Sequence, residues 1–372
     1  MTMEATPPSS PEPITFPCKS CGGPMHFDSE AQAMKCQYCG REEAIVSSDE
    51  RPVEYDLELD AEADPKRKDW GIKQQAVKCE NCGGVSLIPL LQTATLCAFC
   101  GSPKVLLQED AADAIRPETM IPFQVSKSEA VNAFRAWKKK RWFVPNAFKK
   151  GQIDSALTGI YIPYWTFDSD TYSNYSAERG DYHYRNETRT RVVNGRRETY
   201  TERVRYTVWR HVSGDYGRSF DDVLIPASGQ YDGELLQKLG NFRLEKLTGY
   251  LPEYLSGYVA EKYSVNRSEG WQRARNRMSS TLHNEIRQRI GGDEIRGLRV
   301  GTNYFNRTYK HILLPVWNAN YKYRNKPYRY MVNGQTGLVS GLVPRSAVKI
   351  TFFVLFCLAV AIPIIWWFMQ NE

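Results

Sequence analysis

Cys18-Lys19-Ser20-Cys21-Gly22-Gly23, followed by Cys36-Gln37-Tyr38-Cys39-Gly40, is the stretch that decides the reading. It recurs as Cys79-Glu80-Asn81-Cys82-Gly83-Gly84 followed by Cys97-Ala98-Phe99-Cys100-Gly101. In both copies 14 residues separate the paired cysteines (22–35 and 83–96), so the unit is an internal repeat. A Cys-x-x-Cys turn brings two thiolates to one side of a knuckle, and the glycine after it permits a positive φ or a close backbone approach. Two knuckles together offer four sulfurs at tetrahedral geometry, the donor set of a closed structural zinc site. Each half is therefore expected to hold one Zn2+ ion, on Cys18, Cys21, Cys36 and Cys39 and on Cys79, Cys82, Cys97 and Cys100.

The residues between the knuckles suit a short hairpin, and the unit resembles the zinc-ribbon class. Three other readings compete for the same cysteines. Disulfides would require an oxidising compartment. A rubredoxin-type iron site uses similar knuckles, but nothing else in the chain speaks of electron transfer. Catalytic zinc needs an open coordination position that four cysteines do not leave. His26 lies inside the first unit, but its four-cysteine set is already complete, so it is expected at the surface.

The far end of the chain has another character. Ile350 to Met369 runs 20 residues without a charge. At about 1.5 Å rise per residue it spans roughly 30 Å, the thickness of a bilayer core. Arg345 and Lys349 flank its start, and Trp366 and Trp367 sit near its end, where interfacial rings are favoured. Positive residues on the N-terminal side place that side in the cytoplasm. The expectation is a tail-anchored, single-pass protein of the inner (cytoplasmic) membrane. Pro363 is a candidate kink, and Cys357 reads as a small apolar residue. A mean hydropathy of −0.51 excludes a polytopic membrane protein. Met1 to Pro17, rich in Pro, Ser and Thr, lacks the basic and apolar regions of a secretory signal and reads as a disordered leader.

Length and composition bound the rest. A chain of 372 residues has room for two or three domains. Its 42% hydrophobic and 24% charged residues exclude wholesale disorder. The excess of 49 Lys and Arg over 42 Asp and Glu permits contact with nucleic acid or anionic membrane without demanding it. The 22 tyrosines favour a β-rich body.

Between the ribbons lies a run carrying Glu42, Glu43, Asp49, Glu50, Glu54, Asp56, Glu58, Asp60, Glu62 and Asp64. It reads as a solvated, extended tether, or as an acidic docking strip for a basic partner. Ser126 with Glu129 three residues on forms a capping box opening a helix that ends in Lys138-Lys139-Lys140-Arg141, suited to the negative end of its dipole. Tyr161-Ile162-Pro163-Tyr164-Trp165 and Leu314-Pro315-Val316-Trp317 each open an aromatic strand run, Thr166 to Tyr175 and Asn318 to Met331. Asn194-Gly195 between alternating runs is a hairpin signal. That hairpin and its flanks hold Arg185, Arg189, Arg191, Arg196, Arg197, Arg203, Arg205 and Arg210. Glu187, Glu198 and Glu202 are expected to pair with them across strands; an anionic lipid or nucleic-acid surface is the alternative. Arg267 to Ile290 reads as a helix, and Asn333-Gly334 as a turn. The fold class is α+β: two small zinc ribbons, then a mostly antiparallel β-rich domain with a few helices and one C-terminal transmembrane helix. The expected boundaries are a leader at 1–17, ribbons at 18–41 and 71–103, an acidic linker at 42–70, a body at 115–346 and a span at 348–369.

No phosphate-binding loop, dinucleotide fingerprint, HExxH or GxSxG is present. His183, His211, His283 and His311 are isolated, Asp221-Asp222 reads as a turn, and Ser228 and Asp232 have no triad spacing. The chain is expected not to be an enzyme.

Taken in order, the two CxxCGG…CxxCG units, the acidic run, the Pro122-Phe123…Ser126-x-x-Glu129 helix, the YIPYW string, the LPVW string with Val332-Asn333-Gly334-Gln335-Thr336-Gly337 and the final apolar run resemble bacterial double-zinc-ribbon, tail-anchored membrane proteins. These occur in phage-shock-type gene clusters, beside homologues of the phage shock protein A. The resemblance covers nearly the whole chain. It implies an adaptor that recruits or scaffolds peripheral proteins on the cytoplasmic face, with a phage-shock-protein-A homologue among the partners. It carries over the eight cysteines and no catalytic residue. A membrane-tethered nucleic-acid binder is the second expectation, weakened because the second ribbon has no Lys or Arg between its cysteines.

Overall fold

The computed structural model of the chain describes residues 16–46, 53–58, 65–71, 74–89, 96–108, 114–150, 157–193, 196–231, 233–240, 242–323 and 326–370. The expected leader at 1–17 lies outside them except for Phe16, which packs on the core, and Pro17, which bridges Pro24.

The first ribbon is an antiparallel sheet of β1 (Met25–Asp28), β2 (Ala33–Cys36) and β3 (Glu42–Ala44). Its buried apolar side chains, Met25, Phe27, Ala33 and Met34, are too few for a core of their own. It leans on the body instead. Phe27 stands edge-on to Tyr254 at 5.1 Å, and its N–H donates to the Ser256 carbonyl at 3.1 Å. His26, expected at the surface, is half-buried in this seam beside Gly257, and burial lowers its pKa.

The chain continues through β4 (Tyr55–Asp56), β5 (Gln74–Cys79), β6 (Val85–Pro89), β7 (Val105–Gln108), β8 (Thr119–Met120), α1 (Lys127–Lys139), α2 (Asn146–Lys150), β9 (Thr158–Val193) and β10 (Arg196–Pro226). Then come α3 (Gly233–Gln237), β11 (Thr248–Gly249), β12 (Val259–Glu261), α4 (Arg267–Ile290), β13 (Glu294–Tyr323), β14 (Lys326–Asn333), β15 (Val339–Gly341) and α5 (Ala347–Gln370). Among the described residues, β4 to β15 share one twelve-stranded sheet, so the class is α+β with antiparallel pairing dominant.

β9 and β13 form its centre, antiparallel, with Ile162 opposite Leu314 and Tyr161 opposite Pro315. The two aromatic strings thus face each other in the core. Both prolines sit where an outer neighbour changes. Next to β9, β12 pairs at Ile160 and Tyr161 and β10 takes over at Tyr164. Next to β13, β8 pairs at Ile312 and Leu313 and β14 takes over at Val316. The N–H that proline lacks would point outward at that gap, so no ladder bond is lost. β9 runs far past its expected limits at both ends, while the expected run Asn318 to Met331 is divided between the end of β13 and β14, Asn318 standing opposite Met331. Among the described residues, β9 beyond Gly180 pairs with β10 alone, and Asp181–Val193 with its partner extends roughly 40 Å as a two-stranded arm. The expected Asn194-Gly195 turn lies outside the described residues; the last described pair of the arm is Val193 opposite Arg196.

α4 covers one face of this sheet with Trp271, Ala274, Met278, Leu282, Ile286 and Ile290, spaced three and four apart. Asn266 caps it by accepting from the Glu269 N–H at 2.8 Å. α1 opens on the expected box, Ser126 Oγ accepting from the Glu129 N–H and Glu129 from the Ser126 N–H at 2.8 Å.

Two expected boundaries change. The acidic linker at 42–70 is no free tether where it is described. β4 pairs with β13, Glu54 reaches the buried Lys310 at 3.0 Å, Glu58 meets Arg307, and Arg67 is buried against Glu118 and Tyr309. Among the described acids of the strip, Glu42, Glu43, Glu54 and Glu58 each meet a cation of their own chain. The second ribbon, in turn, is not a separate unit. β6 pairs with β12, which pairs with β9, so its hairpin extends the body sheet.

Candidate metal centres

Both cysteine groups come together. Cys18 and Cys39 stand 3.5 Å apart and Cys21 and Cys36 3.4 Å; Cys79 and Cys100, and Cys82 and Cys97, stand 3.7 Å apart. Four sulfurs at about 2.3 Å from a common tetrahedral ion would be about 3.8 Å apart. A disulfide needs about 2.05 Å. The eight thiols are free, and each group could hold one metal ion, with a donor set that suits zinc and leaves no open position.

The backbone builds all four knuckles alike. The N–H of Gly22, Gly40, Gly83 and Gly101 donates to the carbonyl of Cys18, Cys36, Cys79 and Cys97, at 2.8 to 3.0 Å. Those four glycines have φ between 72° and 74°, which an L side chain rarely adopts. The second glycine of each motif, Gly23 or Gly84, has another task. A Cβ there would collide with the ring of Tyr38 or Phe99, so the aromatic residue of the opposite knuckle packs directly against it. Backbone N–H groups of Cys39 and Tyr38 hold the Cys36 thiol down at about 6. Burial raises Cys82 to about 11; at Cys100 burial is outweighed by the Ser102 N–H and the Asn81 amide, and the thiol falls to about 7.

The surroundings of the two sites differ. Phe99 is fully buried, edge-on to Tyr231 at 6.0 Å. Asn318 donates its amide to the Ala98 carbonyl at 2.7 Å and Asn320 to the Phe99 carbonyl at 2.6 Å, so β13 clasps the second knuckle. Tyr38, in the matching place, is 79% exposed.

Other chemistry-bearing residues group differently from the sequence reading. Asp221 and Asp222 form a bulge in β10, not a turn, and converge with Asp168. The Lys310 ammonium lies 2.9 Å from Asp222 and already supplies the positive charge this cluster needs. His311 is buried between Trp70, Trp165 and Tyr263, and desolvation lowers its pKa to about 4. Ser228 donates to the buried Glu261 at 2.5 Å, whose carboxyl is raised to about 8 by desolvation. His183, on the arm, and His283, on α4, stay apart from both. On the arm, Arg189 pairs with Glu202 and Arg191 with Glu198 across strands, while Glu187 bonds Arg185 and Arg189 along its own strand.

α5 is long and apolar enough to cross a membrane, with mean hydropathy 2.4 over Ala347–Ile364 and no part of that window buried. Two four-cysteine ribbons, one built into a large antiparallel sheet, and one candidate span define a double-ribbon class of protein. No family model and no solved structure matches the chain. Over 348 residues it is 32% identical to the uncharacterized protein YdjG of Bacillus subtilis (strain 168), covering 91% of this chain and 92% of that one. The chain belongs to the YdjG family.

Proposed function

We propose that the protein is a membrane-anchored zinc-ribbon adaptor. Each four-cysteine group holds one structural Zn2+ ion, α5 crosses the cytoplasmic membrane with the bulk of the chain in the cytoplasm, and the first ribbon docks a peripheral protein. The exposure of Tyr38 carries this reading. The repeat supplies its own comparison: the same ring on the same glycine is covered by β13 and Tyr231 in the second ribbon and lies open in the first. An exposed aromatic ring held rigid by a metal knuckle suits an interface anchor, because little side-chain entropy is lost on docking. Arg345 and Lys349 before the apolar run favour a cytoplasmic N-terminal side. Given the phage-shock resemblance, a coiled-coil phage-shock-protein-A homologue is the first partner to seek.

The arm supports a second reading, a tethered nucleic-acid binder. Arg203 lies over Tyr184 at 4.3 Å and Arg205 over Tyr182 at 4.1 Å, alternating charge and rings as single-strand binders do. One experiment separates the two: tagged purification from membranes in mild detergent, with nuclease treatment, of the native chain and of Tyr38→Ala. The adaptor reading expects a nuclease-resistant protein partner that Tyr38→Ala loses while keeping both zinc ions. Retention of every protein partner by Tyr38→Ala overturns it, and recovery of nucleic acid alone, released by salt, favours the arm.

A further inference from the structure

We infer that the turn between α1 and α2 is a binding site for anionic phospholipid headgroups at the foot of α5. Lys139 ends α1 and Lys140-Arg141-Trp142-Phe143 follow it in that turn, and residues 135–150 contain no acidic side chain. Lys139, Lys140 and Arg141 are exposed, and Trp142 is 72% exposed with Phe143 beside it. The turn is not loose. The Ser346 N–H donates to the Phe143 carbonyl at 2.7 Å. The Lys349 ammonium donates to the Val144 carbonyl at 3.0 Å and to the Asn146 side-chain oxygen at 2.8 Å. The Phe143 ring meets Phe353 edge-on at 5.4 Å.

These contacts tie the turn to residues 346–353, the first two turns of α5, where the chain passes from polar to apolar sequence. Trp142 is thereby held at the level where indole rings concentrate in bilayers. Lys349 is the clamp; Lys139, Lys140 and Arg141 are the headgroup ligands, with Arg345 exposed nearby in sequence to the span. The occupant follows from charge and position: a patch of cations with no acid among them, continuous with a membrane span, faces the phosphates of the leaflet that span enters. The inference rests on the reading of α5 as a membrane span.

The test uses the full chain in nanodiscs of phosphatidylcholine alone or mixed equally with phosphatidylglycerol, with the photo-crosslinker p-benzoylphenylalanine at position 142 or, separately, at 355. Position 355 should label lipid in both discs. Position 142 should label lipid and favour phosphatidylglycerol, with about a fivefold preference for each basic side chain engaged. Lys139→Glu, Lys140→Glu and Arg141→Glu together should abolish that preference, leaving labelling from 355 and the two bound zinc ions unchanged. Lipid labelling from 355 with none from 142, or with equal labelling of the two lipids from 142, overturns the site and leaves the span standing. No lipid labelling from 355 overturns the span and the site with it.

Discussion

Removing one ligand from each ribbon should give two different outcomes, because the two metal sites carry different mechanical loads. In the first ribbon the apolar anchors are Met25, Phe27 and Met34, each worth about 1.5–3 kcal/mol on burial, roughly 5–9 kcal/mol together. A structural zinc ion contributes about 10–16 kcal/mol in small peptides. The metal therefore stabilises this ribbon more than its apolar contacts do, and Cys36→Ser should unfold it while the second keeps its ion. Zinc content should fall from two to one per chain, with the body keeping a cooperative transition of its own, since the ribbon meets it through Phe27 on Tyr254 and Tyr258, hydrogen bonds at Ser256 and the Gln32 amide on the Phe123 carbonyl. Cys97→Ser should also remove one ion, but with a wider effect. It unseats Phe99, and loss of a buried phenylalanine costs about 3–5 kcal/mol. In a domain of the body's size that lowers its melting temperature by about 6–20 °C. The assay is elemental analysis of the purified chain in detergent, followed by near-ultraviolet dichroism melting. Unchanged zinc content in Cys36→Ser would refute independent four-cysteine sites. Loss of zinc from Cys97→Ser without a shift of the body's transition would refute the structural role of the second knuckle.

Two further outcomes follow from buried charge. His311, held near 4 against an unfolded value of about 6.5, is neutral in the folded chain, so its contribution is complete above pH 6.5 and fades as the pH falls toward 4. Between pH 7.5 and 5 the native chain should lose about 2 kcal/mol more than His311→Phe in urea denaturation, a comparison in which acid release of the metal cancels. Equal losses in the two proteins would show that His311 is not buried neutral. Arg67→Ala should cost about 3–5 kcal/mol, because it strands the largely buried Glu118 without its cation, and adding Glu118→Gln should recover part of that. A loss below about 1 kcal/mol would mean that the linker is not docked as described.

What is legible in the sequence is local. The two four-cysteine groups can be read because a metal-binding knuckle fixes the spacing within each pair and the repeat supplies a second copy. α1 and α4 can be read because Ser126 with Glu129, and the apolar period from Trp271 to Ile290, act within a turn or two. The docked linker is not legible. Its acids look solvated until Lys310 and Arg307, some 250 residues away, arrive beside Glu54 and Glu58. The run from Lys138 to Arg141 reads as a complement to the helix dipole, which it also is, so the tryptophan after it carries no signal of its own. Tyr38 and Phe99 occupy one position of one motif, and nothing local distinguishes a covered ring from an open one.

The repeat also constrains what an adaptor's partner should look like. Features common to both ribbons shape the cysteine knuckles: the positive-φ glycines, the knuckle hydrogen bonds, the ring lying on Gly23 or Gly84. The feature present in only one is the cover over the ring, and in the second ribbon that cover consists of two parts. One is an aromatic edge, from Tyr231; the other is a pair of side-chain amides two residues apart on a strand, Asn318 and Asn320, which cap consecutive knuckle carbonyls. A partner that meets the first ribbon in the same way would bring donors to the carbonyls of Gln37 and Tyr38 and a flat apolar surface to the Tyr38 ring. Alternate side chains on one face of an extended strand have the spacing to do this. On that argument the proposed partner presents side-chain donors and an apolar surface, not a phosphate backbone, and binding through Tyr38 should be far less sensitive to salt than binding through the arginine arm.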